Sequence, residues 1–178
     1  ANTEPEDSAG YLRFIQVLEA LRLFPEDFKT FPRHHEINGV SLDIVNPPPD
    51  FMEKRQMEAW RDINNNSLAV HARFGTITLL FPGDIKSAAE KEMVAGYGDR
   101  LQSRILIAPH HGSKSSNSEV FVEAVKPEIV IFTTGRNNRF NFPHPSVIRR
   151  YQDMGATLMN TAFNGAVSIC TDGNALTI

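Results

Sequence analysis

Two adjacent histidines, His110 and His111, follow an apolar run, Ile105–Ala108, and a proline. After them come Gly112, Ser113, Lys114 and two further serines. A strand that ends this way fixes the backbone of a ligand or a base, and the small residues leave room for a substrate. Imidazole binds transition metals and moves protons near neutral pH, so metal binding or hydrolytic chemistry suits the pair. On extended backbone the two side chains would point to opposite faces, so one would be a ligand and the other a donor or substrate contact. Two solvated loop histidines are the plain alternative. Gly112 and Ser113 would let a phosphate approach backbone N–H groups, as in an anion nest.

Asp84 stands 26 residues upstream of His110 and ends an apolar run in the same manner, TITLLFPGD. A carboxylate at the C-terminal end of a strand lies where α/β proteins gather their sites. An aspartate just before a helix could equally cap it. His144 lies between Pro143 and Pro145, where restricted backbone can aim a side chain at proton transfer or phosphate binding. Pro145 is also a good first helical residue, so a structural role stands beside the chemical one. Asn137-Asn138-Arg139 reads as a turn, with Arg139 available to phosphate. His71 falls on the polar face of its strand, and His34 and His35 precede a strand with no third ligand in view; all three are expected to be exposed.

The elements that would position these residues alternate. Leu12, Ile15, Leu18 and Leu21 have helical spacing and predict a helix over Tyr11–Phe24, ending before Pro25. A turn at Asn38-Gly39 leads into a strand, Val40–Val45, and the charged segment Asp50–Asp62 reads as a loop with a helical turn. Ser67–Phe74 and Thr76–Phe81 form a hairpin around Gly75. Helices are predicted over Ser87–Tyr97, Ser118–Val125 and Pro145–Met154, and strands over Ile105–Ala108, Ile129–Thr133 and Ala156–Met159. Ala166–Cys170 and Ala175–Ile178 flank Asp172-Gly173, a favoured two-residue turn. This is an α/β layered domain with a closing hairpin.

At 178 residues with 41% hydrophobic and 22% charged residues, the chain suits one globular domain and not a disordered segment. No apolar run approaches the roughly 18–20 residues that span a bilayer. The polar, acidic start ANTEPEDSAG is neither a signal peptide nor a Met start, and a fragment of a longer protein is expected. The single Cys170 cannot form an internal disulfide and is expected to be a small buried hydrophobe. The net charge of −3 is unevenly spread: residues 104–150 carry seven basic and three acidic groups, a local excess of four positive charges. Such a surface suits a phosphate-bearing substrate, although solvated helix faces give the same count.

NNNSL, PGD, HHGSKSS, VKPE, GRNNRF and PHP occur in this order. As a set they resemble the metallo-β-lactamase superfamily, and within it the C-terminal domain of the ComEC/Rec2 family of DNA-internalisation proteins, over roughly residues 9–178. The resemblance implies a metallo-β-lactamase-like αββα layered fold of which this chain is the C-terminal portion. It implies metal-assisted phosphodiester cleavage of DNA being taken up, with zinc or manganese as cofactor. Asp84 with His110 or His111 would be metal ligands, His110 being favoured. His144 would be a proton donor or phosphate contact, and Ser113, Lys114, Arg136 and Arg139 would support the substrate. The family's domain is attached to a multi-helix membrane channel on the extracytoplasmic face of the bacterial inner membrane.

The superfamily's ligand signature, His-x-His-x-Asp-His, or His-x-Asp-x-Asp-His in the ComEC-like group, is absent from this chain. Residues 1–178 therefore read as one incomplete domain, inactive alone, with apolar sheet surface left open to self-association. Where relatives carry a ligand histidine, this chain has Asn64–Ser67, and asparagine is a poor substitute for imidazole on a transition metal. Phe142 replaces the first histidine of the family's His-Pro-His-Pro. Two other functions fit: a degenerate, non-catalytic fold that binds DNA or a partner, and a hydrolase of another small phosphodiester or ester.

Overall fold

A computed structural model describes residues 9–23 and 29–178. The chain divides into two units, Ala1–Pro32 and Arg33–Ile178. Within the first, α1 (Ala9–Ala20) is a helix with no buried residue. It ends at Ala20, short of the predicted end, and Phe24 and Pro25 lie outside the described residues.

The second unit is built on a seven-stranded sheet whose strands follow one another in chain order. These are β1 (His34–Ile37), β2 (Val40–Asn46), β3 (Ala69–Phe74), β4 (Ile77–Phe81), β5 (Ile105–Ile107), β6 (Ile129–Phe132) and β7 (Thr157–Asn160). The first four pair antiparallel and the last four parallel. The change of sense at β4 has a simple cause. Short turns such as Gly75 return the chain antiparallel, whereas a parallel neighbour needs a helical crossover. Those crossovers include α3 (Ser87–Tyr97), α4 (Glu119–Val125) and α5 (Pro145–Asp153). A seven-residue helix, α2 (Phe51–Met57), occupies the charged segment between β2 and β3, and α6 (Thr161–Asn164) follows β7 directly.

The helical face carries the main core, including Leu80, Leu106, Val130, Phe121 and Tyr151. Each is fully buried, and burying such a side chain is worth about 1.5–3 kcal/mol. The opposite face presents Ile77, Ile105, Ile129 and Ile131, all at most 8% exposed. Val167, Ile169 and Leu176 pack on them from the C-terminal segment. The expected open apolar sheet face is thus covered over its centre, while Leu79, Ile107 and Met159 stay half-buried.

Three sequence expectations need correction. The strand β1 forms where no element is predicted, because cross-strand partners compensate its polar composition: His34 opposes Asp43, with Nδ1 to Oδ1 at 2.7 Å. The closing hairpin shrinks to β8 (Cys170–Thr171) and β9 (Leu176–Thr177), a separate two-stranded sheet. Its loop is longer than two residues because the Asp172 carboxylate accepts from the N–H groups of both Asn174 and Ala175, each 2.8 Å. Cys170 is exposed, since Val167 and Ile169 take the inward positions and the alternation turns residue 170 out.

Candidate active-site edge

The C-terminal ends of β4, β5, β6 and β7 lie side by side, so the loops that leave them meet at one edge. Backbone hydrogen bonds fasten these loops to one another. His110 N–H donates to Gly83 O at 3.0 Å, and His144 N–H donates to Gly112 O at 2.9 Å. Gly83 has φ +64°, and a Cβ there would lie 2.8 Å from the Ser67 Cβ. Gly112 has φ +82°, and a Cβ would meet Pro143 and Phe132 at 2.6 and 2.8 Å. Only glycine allows either approach.

Asp84 sits in the turn after β4. The helix cap is Lys86, not Asp84, so the carboxylate is left for other work. Its backbone N–H donates to Ser67 Oγ at 3.1 Å. Neighbouring Asn65 accepts from Lys86 N–H at 2.9 Å, and Asn46 donates to the carbonyls of Asn65 and Ser67. The NNNSL segment is therefore the scaffold of the Asp84 turn.

His110 and His111 depart from the expected extended backbone. Both are left-handed, at φ 49° and 57°, inside a single turn spanning Pro109–Gly112. The imidazole of His111 reaches Asp84, with Nε2 3.5 Å from Oδ1, both side chains being nearly half exposed. His111 Nδ1 lies 2.8 Å from the backbone carbonyl of Thr133. A carbonyl only accepts, so Nδ1 carries the proton and Nε2 turns its lone pair toward the carboxylate. His110 points elsewhere: its Nδ1 is buried without a hydrogen-bond partner among the described residues, and its ring meets Phe142 edge-on at 5.7 Å. Burial holds its pKa below the usual histidine value, with the His111 charge adding to the effect and Asp84 opposing it. Of the two, His111 makes the pair with Asp84.

His144 caps α5. Its Nδ1 lies 3.2 Å from Ser146 N–H and 2.8 Å from Ser146 Oγ. Accepting the N–H leaves Nδ1 unprotonated, so the neutral ring carries its proton on Nε2 and can donate from there. Ser113 turns inward: it is 5% exposed, its hydroxyl lies 3.0 Å from Ser115 Oγ, and its N–H donates to His110 O. That removes it from the substrate contacts expected. Lys114 is exposed in the same loop. Beyond β6, Arg136 donates from Nε to Ala162 O at 3.0 Å, and the Arg139 guanidinium stands 4.7 Å from the Phe140 ring centre.

The positive segment does not converge as a whole. Arg104 precedes β5, at the opposite edge, bonded to Glu128 at 2.8 Å. Arg150 donates to Asn117 O at 2.6 Å and lies 3.7 Å from Glu119. Only Lys114, Arg136 and Arg139 belong to loops of the site edge.

A buried polar network that sequence reading missed sets the shape of the histidine turn. Asn117 donates to Pro109 O (3.1 Å) and Ser113 O (3.2 Å) and accepts from Tyr151 OH at 2.8 Å. Glu90, fully buried, accepts from the N–H groups of Asn117 and Ser118. Burial raises the Glu90 pKa, against the opposing hydrogen bonds from Ser118 and Asn117 and the charge of Arg150.

A carboxylate and a correctly protonated imidazole are both ordinary ligands for zinc or manganese. Donors around a tetrahedral zinc, with bonds near 2 Å, stand roughly 3.3 Å apart, and the Asp84–His111 pair matches that spacing. The donor count does not: among the described residues no group of three or more His, Cys, Asp or Glu side chains comes together to hold an ion. The described residues offer two donors where hydrolytic zinc sites use about three.

The architecture is that of an α/β protein with a carboxylate–imidazole pair at the C-terminal edge of its parallel strands. By sequence the chain belongs to the ComEC/Rec2 family. It is 35% identical to competence protein ComA of Neisseria gonorrhoeae over 73% of its length, and 30% identical to ComE operon protein 3 of Bacillus subtilis over 74%. It is 32% identical to recombination protein 2 of Haemophilus influenzae over 82%. It spans only 16–18% of these proteins' own length. No protein-family model matches the chain. Among solved structures it is similar to a proposed Zn-dependent hydrolase of the metallo-beta-lactamase superfamily from Thermotoga maritima. That likeness has a TM-score of 0.42 at 12% identity, covers 73% of this chain and 70% of the other, and is too distant to bear on fold or function.

Proposed function

We propose that this chain is the C-terminal portion of a metallo-β-lactamase-like domain that hydrolyses phosphodiester bonds of DNA during uptake. The observation that carries the reading is the Asp84–His111 pair, 3.5 Å apart, with the histidine tautomer set for ligation by Thr133. A divalent ion held there with further ligands would activate water and polarise a phosphoryl oxygen. The residues of this chain supply the rest of the setting: Lys114, Arg136 and Arg139 balance phosphate charge, and His144 Nε2–H is a proton donor. With two donors among the described residues, the chain by itself is expected to hold zinc or manganese weakly and to cleave no DNA appreciably.

The resemblance to DNA-internalisation proteins supports a membrane-channel context on the outer side of the bacterial inner membrane. No helix of the described residues is long and apolar enough to cross a membrane. The test is DNA cleavage by the protein expressed from its full gene, with manganese or zinc. Metal-dependent cleavage abolished by Asp84→Ala and by His111→Ala is expected. Cleavage that survives Asp84→Ala would remove the assignment. DNA binding without cleavage would favour the second reading, a degenerate binding fold, for which Phe142 at the family's histidine position speaks.

A further inference from the structure

We propose that the loop after β6, together with α6, forms a base-stacking groove for single-stranded nucleic acid that starts at His111 and ends at Phe163. The proposal rests on the reading of this edge as a phosphodiester site and names the form of substrate it takes. A cavity of about 660 Å³ is lined by Arg136, Asn137, Phe142 and Phe163, among others. A second, of about 220 Å³, is lined by His111, Thr133, Phe140 and Phe142. They share Thr134, Gly135, Asn138 and Phe142, so they are parts of one furrow. The larger volume lies in the range of small-molecule sites and accommodates a nucleobase.

Its aromatic lining is open. Phe163 is 83% exposed and Phe140 is 60% exposed. Phe140 and Phe142 are stacked, with ring centres 5.5 Å apart and planes 20° from parallel. Single exposed apolar residues are ordinary, but aromatic faces gathered in one furrow beside arginines are the makeup of a single-strand platform. Among the described residues no acidic side chain lines either cavity. Arg136 is anchored by Ala162 O through Nε, which leaves its terminal nitrogens for a phosphate. The Arg139 guanidinium lies over Phe140 and extends the stack, since a guanidinium plane also stacks on bases.

The loop is built in advance of binding. Asn138 accepts from Phe142 N–H and donates to Phe142 O, both at 2.8 Å, which fixes the aromatic residue in place. A rigid platform lowers the ordering cost of association. A duplex hides the faces of its bases, whereas an unpaired strand can lay them on Phe163 and the Phe140–Phe142 pair. Its phosphates then meet Arg136 and Arg139, and the strand continues toward His111 and Asp84.

The experiment measures binding of a labelled oligothymidylate of about 12 nucleotides to the 178-residue chain in EDTA. An abasic strand of equal length, the matching duplex and a competing unlabelled protein extract are the comparisons. Oligothymidylate is expected to bind more tightly than the abasic strand or the duplex. Phe140→Ala and Phe163→Ala should each weaken it about 5- to 100-fold, with little change for the abasic strand. Phe163→Trp, which keeps a stacking face, should retain binding and guards against a folding artefact. Equal affinity for the abasic strand, or oligothymidylate binding unchanged in both alanine variants, would overturn the proposal; so would loss of binding to extract protein alone. Aromatic-dependent binding by a full-length protein that never cleaves would keep the groove and remove the hydrolase reading. Metal-dependent cleavage with unchanged KM in Phe140→Ala and Phe163→Ala would do the reverse.

Discussion

At the residue scale, the chemistry of the edge turns on which nitrogen of each histidine holds its proton. Thr133 O requires Nδ1–H on His111, and the cap of α5 requires an unprotonated Nδ1 on His144. Nitrogen-15 NMR at neutral pH should therefore show His111 as the Nδ1–H tautomer and His144 as Nε2–H. Both as the Nε2–H form would contradict the assignment for His111. That Asp84 and the histidine pair share an edge could be read from the sequence, because each follows an apolar run directly. The choice between the histidines could not. Two successive left-handed non-glycine residues are rare, and nothing in the residue types at 110 and 111 signals them.

At the element scale, the histidine turn depends on Asn117 and Glu90, which sequence reading passed over. A glutamate in SAAEKEMVAGY and an asparagine after a run of serines look like solvated residues. Their burial follows from the packing of α3 and α5 beside the turn, which spacing alone does not reveal. Asn117→Ala should destabilise the protein by about 2–4 kcal/mol, since the carbonyls of Pro109 and Ser113 and the Tyr151 hydroxyl lose their partner in the interior. Urea denaturation checks this, and an effect below about 0.5 kcal/mol would mean the turn holds without it.

Glu90 carries the pH prediction. Its folded pKa is raised, so between the unfolded value and that raised value the native state binds more protons than the unfolded one. Stability from this group is present at low pH and falls as pH rises through the window. Glu90→Gln should flatten that slope when denaturation midpoints are compared from about pH 4.5 to 7. The NNNSL segment teaches the same lesson in reverse. By sequence its asparagines stand where relatives place a ligand, and in the fold the segment fastens the Asp84 turn through Ser67 Oγ and Asn65 Oδ1.

At the scale of the whole molecule, the alternation of strands and helices was legible because periodicity and turn residues agree with each other along residues 67–160. The polar strand β1 and the shortened final hairpin were not, because cross-strand partners and the Asp172 turn decide them. Charge counting also overreached: Arg104 pairs with Glu128 at the opposite edge, and Arg150 is committed to the Asn117 carbonyl and Glu119. With three cations left at the edge, DNA affinity should fall with salt at a slope of about 2, roughly 20-fold between 50 and 200 mM. Arg139→Glu should weaken binding more than Arg104→Glu, and equal losses would show the field to be diffuse.

The central claim, that Asp84 and His111 form one part of a divalent-metal site, is tested most directly by zinc titration of the purified chain followed calorimetrically. The account predicts one weak site per chain, lost in Asp84→Ala and in His111→Ala and largely kept in His110→Ala. Zinc binding indifferent to Asp84 and His111, or abolished by His110→Ala alone, would contradict it.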